Sequence, residues 1–312
     1  MATQTDKRIQ RFIQTERVQA GSLIVSMYGD AIYPRGGSVW LGCLIRLLAP
    51  LQVNERLIRT AIFRLVKDDW LQTETYGRRT NYVLSASGLS RISAASKHIY
   101  ASRSPTWDGQ WRLLLLSAEV TAKDKERLKK ALRWQGFGTW QNLGFVHPGA
   151  DLHQTFEWLH REGLGHLEKH MWPLIATGLP SEGRLRDNEV VAQAWGLDEL
   201  AISYQRFVKT YWPLLEECRD PAFFDTDGQK AKAFLLRLLL IHDYRRLLLR
   251  DPLLPSDLLP KHWPGDRARQ TCQALYEVLR SPSEFFLDSE LQLADGRRTK
   301  SLKLLRQRFQ KC

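Results

Sequence analysis

One stretch constrains the fold of this chain more than any other: an apolar stripe at helical spacing, followed at once by two strand-like segments. Residues 54–84 read NERLIRTAIFRLVKDDWLQTETYGRRTNYVL. Asn54 is a good N-cap, and apolar residues recur every three or four positions from there to about Trp70, which predicts an amphipathic helix. LQTET and NYVLS then alternate as strands do, around YGRR, whose Gly77 suits a hairpin turn.

Two further helices precede this stretch. SLIVSMYGD carries one apolar face and ends near Gly29, and Ser38 is predicted to cap VWLGCLIRLL, which Pro50 stops. A fourth helix is expected in SASGLSRISAASKHIYA, after the hairpin. Three helices followed by a β-hairpin form the element order of a winged helix-turn-helix, so we expect residues 1–103 to be a domain of that class.

On the helix that begins at Asn54, the side chains divide between two faces. The apolar face is predicted to anchor the helix in the core and comprises Leu57, Ile58, Ala61, Ile62, Leu65 and Val66. The opposite face is rich in cations and comprises Arg56, Arg59, Thr60, Phe63, Arg64 and Lys67. Arginine on such a face can contact phosphates or bind guanine edges in a major groove. The alternative is an ordinary solvated surface.

The surroundings of the helix favour nucleic acid over the solvated surface. The 312-residue chain has a net charge of +12 and a pI near 9.7, which suits a polyanionic partner. Two arginines lie at the predicted hairpin tip, and another lies in the loop before the second helix. The predicted DNA-contacting set is Arg35, Asn54, Arg56, Arg59, Thr60, Arg64, Lys67, Arg78 and Arg79.

The rest of the chain predicts two more domains. Within 104–190, WRLLLLSAEV, LGFVHP and EKHMWPLIAT are strand-like and alternate with the helical segments KDKERLKKALRWQ and DLHQTFEWLHREG, an order typical of a ferredoxin-like α+β unit. Within 191–312 three long helical patterns follow, the last two separated by the proline-rich loop DPLLPSDLLPKHWPGD. The predicted architecture is therefore α+β and multidomain.

Several other classes of protein are disfavoured by the sequence. The four cysteines form no CxxC pair, which argues against a zinc site or a disulfide framework. The N-terminus has no apolar signal core, and no segment is apolar enough to cross a bilayer, so we expect a cytoplasmic protein that does not act at membranes. No P-loop, GxGxxG or GxSxG motif occurs in a suitable context, so we predict neither a cofactor nor an enzyme.

The long motifs of this chain resemble those of the PaaX-like family of bacterial repressors of phenylacetic acid catabolism. The similarity runs through PRGGSVWLGCLIRLLAPL, NERLIRTAIFRLVKDDWL, GRRTNYVLSASGL and LIHDYRRLLLRDPLLPSDLLPKHWPGDRAR, and it covers nearly the whole chain. The resemblance implies a central domain similar to Cas2, a helical C-terminal domain and a homodimer that binds operator DNA. It also implies release from the operator by phenylacetyl-coenzyme A.

An acyl-coenzyme A effector needs arginines for its phosphates and apolar or aromatic walls for its acyl group. Residues with that chemistry occur in three places along the chain, although packing tryptophans and surface ion pairs would look the same. The candidate effector residues are Trp107, Trp111, Arg133, Trp134, His242, Arg245, Arg246 and Trp263.

Two alternatives of a different kind stay open at this point. Adjacent His242 and Asp243 could ligate a divalent ion, and a Cas2-like domain could be a nuclease, so a metal-dependent nuclease or phosphohydrolase is the competing function. No second histidine pair accompanies them, and a pairing of Asp243 with Arg245 or Arg246 is expected instead. The third possibility is a scaffold that binds RNA or other polyanions without sequence preference.

Overall fold

The computed structural model describes residues 3–15, 18–177, 187–301 and 308–309. The chain divides into two compact units. The first combines three segments, Met1–Ser102, Tyr204–Leu247 and Gly265–Cys312, and the second combines Arg103–Ser203 and Leu248–Pro264. The helices after residue 198 are thus largely part of the unit that contains the N-terminal elements. The three-domain division at residues 103 and 190 stays a prediction.

The N-terminal segment of the first unit is mainly helical. Its helices are α1 (Gln4–Thr15), α2 (Ala20–Met27), α3 (Leu41–Leu48), α4 (Glu55–Lys67) and α5 (Ala86–Ile99). After α2 the chain continues as a π-helical turn over Tyr28–Ile32, beyond the predicted end near Gly29. The predicted stop at Pro50 is confirmed, since α3 gives way there to a short 3₁₀ turn.

A three-stranded antiparallel sheet completes this segment. Its strands are β1 (Ser38–Trp40), β2 (Leu71–Tyr76) and β3 (Arg79–Leu84), in the order β1-β3-β2. The prediction that Ser38 caps a helix is wrong. Ser38 pairs with Val83 in the sheet, and α3 begins three residues later, after Trp40. Strand pairing over a separation of 45 residues outweighs the local capping preference.

Three long helices build the remainder of the first unit. They are α9 (Asp198–Cys218, which joins this unit from Tyr204 onward), α10 (Asp227–Leu248) and α11 (Pro264–Glu290). The middle of α10 is buried on all sides, and its Phe234 and Leu238 share one core with Leu23, Leu44 and Ile62. The C-terminal helices therefore complete the hydrophobic core of the N-terminal elements.

The second unit is built around a four-stranded antiparallel sheet. Its elements are β4 (Gln110–Leu116), α6 (Ala122–Trp134), β5 (Gly138–Trp140), β6 (Gly144–His147), α7 (Leu152–Arg161), β7 (Met171–Thr177) and α8 (Asp187–Trp195). The strand order β5-β6-β4-β7, with α6 and α7 as connections, is that of a ferredoxin-like fold. The sequence predicted all of these strands except β5, a three-residue edge strand, and it did not predict α8.

A separate core lies beneath this sheet. Leu114 of β4 packs with Leu128 and Leu132 of α6 and with Leu159 of α7, all fully buried. The apolar residues of α6 thus face the sheet. In the described part of the chain, no helix is long and apolar enough to cross a membrane.

Candidate nucleic-acid interface

The helix α4 begins and ends through local signals in its own sequence. The Oδ1 atom of Asn54 accepts a hydrogen bond from the backbone N–H of Arg56 at 2.8 Å, which confirms Asn54 as the N-cap. Glu55 lies in the first turn and Lys67 in the last, where their charges interact favourably with the helix dipole and stabilise the helix. The helix ends before Asp69, whose backbone is left-handed with φ of 54°.

Four apolar residues hold α4 in the core: Ile58, Ala61, Ile62 and Leu65 are buried. Val66 is partly buried, but Leu57 is 50% exposed, so the prediction that it belongs to the anchoring face is wrong. Leu57 lies at the margin of the stripe, and a stripe about 100° wide reaches only the residues in its centre. The anchoring contacts include those between α2 and α4.

The opposite face of α4 lies in solvent, as the sequence predicted. Its exposed members are Arg56, Arg59, Thr60, Phe63, Arg64 and Lys67. Arg59 forms an exposed ion pair with Glu55, one turn earlier, at 2.6 Å. An exposed ion pair of this kind contributes about 0.3–0.5 kcal/mol to stability. The Arg59 guanidinium can therefore leave Glu55 to bind another anion, such as a phosphate. The Thr60 hydroxyl donates a hydrogen bond to the Arg56 carbonyl at 2.8 Å, and its oxygen can still accept hydrogen bonds from a partner.

The hairpin that follows α4 has a two-residue turn. Tyr76 pairs with Arg79 in the sheet, so Gly77 and Arg78 form the turn, and Gly77 has φ of 55°, a left-handed conformation that glycine adopts without strain. Arg78 is exposed at this tip. The guanidinium of Arg79 lies 4.6 Å from the ring centroid of Trp40, a cation–π contact that holds it beside the sheet.

Arg35 requires a correction. Its side chain is buried, and its Nη2 atom pairs with Glu284, while the same atom lies 2.8 Å from Asp288. A guanidinium enclosed by two carboxylates of α11 cannot reach a phosphate. Burial removes Arg35 from the predicted DNA-contacting set and makes it a residue that joins the N-terminal segment to α11.

Arg35 belongs to a buried charge network, defined by Asp30, Arg35, Arg237, Glu284 and Arg308, which sequence reasoning missed. Asp30 accepts hydrogen bonds from Arg237 and Arg308, both at 2.8 Å, and Glu284 accepts from Arg237 at 2.6 Å and from Arg35. Charged residues inside apolar runs, as in SMYGD and FLLRLLL, were the available signal. Their partners lie 207 and 278 residues away.

Two tyrosines complete the network. The hydroxyls of Tyr100 and Tyr276 donate to Asp30 at 2.8 and 3.0 Å. Desolvation alone would raise the pKa of Asp30, but Arg237 and Arg308 together with these hydroxyls hold it below the usual value. Asp30 is therefore a buried carboxylate that stays charged because four donors surround it.

The predicted effector residues of the second unit lie in different environments. Trp111 is buried, and its indole N–H donates to Asp187 at 2.8 Å, while its ring lies 5.4 Å from that of Trp107. Trp263 is also buried. Arg133 and Trp134 are exposed at the end of α6. The structure thus brings Trp107 and Trp111 together as ring partners.

The other predicted effector residues belong to the first unit. His242 is buried and lies 3.0 Å from the Ser26 hydroxyl; burial lowers the pKa of His242 to about 4. Arg245 donates to the hydroxyls of Ser26 and Ser22 at 3.0 and 2.6 Å. Arg246 is exposed. The predicted effector set is therefore divided between the two units.

Arginines engage two carboxylates that bear on the metal alternative: Asp243, predicted as a possible ligand, and Asp108, which lies just before the first strand of the Cas2-like domain. Asp243 accepts from Arg8 and from the Tyr211 hydroxyl, both at 2.7 Å, so the expected pairing with Arg245 or Arg246 is wrong. Asp108 accepts two hydrogen bonds from Arg112, which lower the pKa of Asp108 to about 2. Within the described ranges, no three His, Cys, Asp or Glu residues are grouped to hold a metal ion.

Comparison with known proteins identifies the family to which this chain belongs. Three regions match family models in chain order: a PaaX-like protein model over residues 19–88, a PaaX protein central Cas2-like domain over 104–177, and a PaaX-like protein C-terminal domain over 195–289. These matches define a multidomain protein with a Cas2-like centre and a helical C-terminal part. The chain belongs to the PaaX-like family.

Two individual proteins extend this result. The "Transcriptional repressor PaaX" of Escherichia coli (strain K12) is 37% identical over 304 residues, which are 97% of this chain and 94% of that protein. A solved structure, "Uncharacterized protein Rv0674 from Mycobacterium tuberculosis", is similar with a TM-score of 0.51 and 21% identity, covering 84% of this chain and 98% of that one. The second likeness concerns the fold alone.

Proposed function

We propose that this protein is a transcriptional repressor that binds operator DNA through a winged helix-turn-helix, with α4 as the reading helix and the β2–β3 hairpin as the wing. The observation that carries the proposal is the outward face of α4, whose cations are exposed on a helix that the core holds firmly. Membership of the PaaX-like family and the name of the E. coli relative support it.

In this proposal α4 enters the major groove, and its side chains contact different parts of the DNA. Arg59 and Arg64 reach base edges, where arginine pairs with guanine O6 and N7. Arg78 at the turn contacts a neighbouring phosphate, and Arg79 contributes charge from its position on Trp40. Asn54 uses its Oδ1 as the cap and keeps its amide N–H groups for the backbone of the DNA.

The proposed repressor acts as a homodimer. A two-fold symmetric protein presents two reading helices, so the operator is an inverted repeat with half-sites about 34–36 Å apart or a multiple of that distance. A dimer also doubles the number of phosphate contacts, so its affinity for DNA should fall steeply as the salt concentration rises.

The regulated genes and the effector belong to the same proposal. The relative's name supports repression, and the resemblance to the PaaX-like family implies genes of phenylacetic acid degradation as targets and phenylacetyl-coenzyme A as the ligand that releases the protein from DNA. The ligand would bind better to an arrangement of the subunits whose reading helices no longer match the operator spacing. The arginines and tryptophans named above offer the chemistry for phosphates and for a phenyl ring.

One titration tests both parts. A labelled fragment of the host's phenylacetate-degradation promoter is titrated with protein at about 0.15 M salt, with unlabelled random DNA as competitor. We expect a preference for the promoter of at least about 10³ over random DNA, and a marked rise in Kd when phenylacetyl-coenzyme A is added. Coenzyme A without the acyl group is the matched control.

The outcomes separate the two parts. Equal affinity for promoter and random DNA would leave only a nonspecific polyanion binder, and the repressor proposal would fail. Specific binding that phenylacetyl-coenzyme A leaves unchanged, with no increase in the midpoint of thermal unfolding at ligand concentrations well above those in the titration, would overturn the effector alone.

A further inference from the structure

Phe63 is an apolar residue in the middle of a cationic surface. Its side chain is 71% exposed, the largest value among the large apolar side chains in the described part of the chain. It lies on the outward face of α4, three residues after Thr60, four after Arg59 and four before Lys67. Residues with these spacings share one side of a helix, so Phe63 occupies the centre of the exposed face.

Neither the fold nor the helix explains a phenylalanine at this position. The ring contributes little to the core because most of its surface stays in water, and phenylalanine forms helices less readily than alanine, lysine or arginine. Single exposed apolar residues are common on protein surfaces, but this one lies among cations on one helix face, where polar residues are the usual choice. The ring therefore fits a partner that covers this face.

The charge around Phe63 identifies the chemistry of that partner. Arg56, Arg59, Arg64 and Lys67 lie on the same outward side of α4 as Phe63, and all are exposed. Two of these cations lie in the last turn of α4, so the surface is strongly positive. A polyanion with an apolar feature accessible between its charges would match this surface, and double-stranded DNA is such a polyanion. Its major groove displays one apolar group among hydrogen-bonding edges, the C5 methyl of thymine.

We propose that Phe63 reads thymine, by packing its ring against the C5 methyl of one thymine in each operator half-site. This inference rests on the proposed function and adds to it the base that an apolar side chain selects. Along the helix axis Phe63 lies about 6 Å beyond Arg59, at 1.5 Å per residue. The thymine is therefore within about two base pairs of the base that Arg59 contacts, at 3.4 Å per base pair.

The test removes the methyl group and leaves the base pair intact. Each thymine of the operator is replaced in turn by deoxyuridine, in both half-sites together, and the affinity of the wild-type chain is measured. Burial of one methyl group corresponds to about a fourfold change in affinity, so loss of both copies should weaken binding roughly fifteenfold at one position and little elsewhere.

Variants of the protein show which side chain senses the methyl group. In Phe63→Ala the effect of deoxyuridine at that position should disappear, and in Phe63→Leu a reduced effect should remain. Leu57→Ala is the matched control, because Leu57 is a second exposed apolar residue of α4 but lies at the margin of its buried face. It should keep the full effect. Equal urea midpoints for all four chains establish that folding is unchanged.

The possible failures are distinguishable. If the wild-type chain shows no preference for the operator, the proposed function has failed before the thymines are examined. If it binds the operator but no deoxyuridine position weakens binding, or if the weakening persists in Phe63→Ala, thymine reading by Phe63 is wrong. A Phe63→Ala chain with unchanged DNA affinity and an altered sedimentation coefficient would instead assign the ring to a protein contact and overturn the inference.

Discussion

Arginines occupy two opposite environments in this protein. On α4, Arg56, Arg59 and Arg64 are exposed, and the ion pair of Arg59 is a weak surface contact with Glu55. In the buried charge network, Arg237 is fully buried and donates to both Asp30 and Glu284. The first group contributes little to folding and is available to a partner, whereas the second has its partners inside the protein.

The difference follows from the cost of removing charge from water. A buried ion costs several kcal/mol to desolvate, so it persists only where partners of opposite charge and good geometry surround it. An exposed ion retains its hydration and gains little from a single neighbour. Counting arginines along the sequence therefore does not reveal which of them can bind DNA; their burial does.

The largest effect on stability is expected for Arg237→Ala. The substitution leaves Asp30 and Glu284 without one partner each in a buried site, so we expect a loss of about 3–5 kcal/mol in the free energy of unfolding. Urea denaturation measures it, with Arg59→Ala as the exposed control, which should change stability by less than about 0.5 kcal/mol. A loss below about 1 kcal/mol for Arg237→Ala would show that the network is hydrated in solution.

The exposed arginines should show the reverse behaviour. Arg59→Ala and Arg64→Ala should each weaken operator binding by about 1–3 kcal/mol, because each removes a contact to a base edge, and should leave the urea midpoint unchanged. Glu55→Gln is the matched control, since it frees Arg59 from its ion pair without removing a cation. Operator affinity that stays constant in both arginine variants contradicts groove reading by α4.

Acid probes the interior of the first unit. The pKa of His242 is near 6.5 in the unfolded chain and about 4 in the folded chain, so the unfolded state binds the proton more readily. The contribution of neutral His242 to the free energy of unfolding is therefore fully present above pH 6.5. It is lost as the pH falls from there towards 4, and the loss is roughly 2 kcal/mol at pH 5. His242→Gln should remove this part of the pH dependence of thermal unfolding.

The control for that experiment is His153→Gln, which alters a histidine that is 83% exposed. The decrease in stability that His242 causes should remain in this variant. His147, whose pKa burial also lowers to about 4, contributes a second decrease in the same direction that His242→Gln leaves in place. An unaltered pH profile in His242→Gln would mean that the pKa of this imidazole is the same in the folded and the unfolded chain.

Salt probes the exterior, and here we expect the smallest effect. Arg79→Ala should lower the affinity for operator and random DNA by the same factor, and should make the plot of log K against log salt less steep by about 1. Arg46→Ala is the control for Arg79→Ala, because the Arg46 guanidinium also lies near Trp40, 5.9 Å from the centroid of its ring. A loss confined to the operator would mean that Arg79 reads sequence.

Local signals made much of the candidate interface predictable. The Asn54 cap, the buried Ile58 and Leu65, and the turn at Gly77 each depend on residues close together in the sequence, so their pattern can be read from it. Ser38 was predicted incorrectly because its strand partner, Val83, lies far along the chain. Short-range preferences cannot report such pairings.

The location of the other charged residues could not be predicted for the same reason. Arg35 looked like a loop arginine, but its partner Glu284 lies 249 residues later. The effector candidates were chosen by chemistry alone, and side chains as different in exposure as Trp111 and Trp134 carry the same sequence signal. The burial of a side chain and the residues it contacts are set by the folded structure, and the local sequence pattern indicates them only indirectly.

The contact between Asp30 and Arg308 also constrains the order in which the protein can mature on the ribosome. The two residues are 278 positions apart, so at about 5–20 residues per second the arginine is made roughly 15–55 seconds after the carboxylate. During that interval Asp30 lacks one of the two arginines that pair with it in the folded protein. A nascent chain therefore completes this contact only after Arg308 has been synthesised, and products that end before it lack one of the two cations that pair with Asp30.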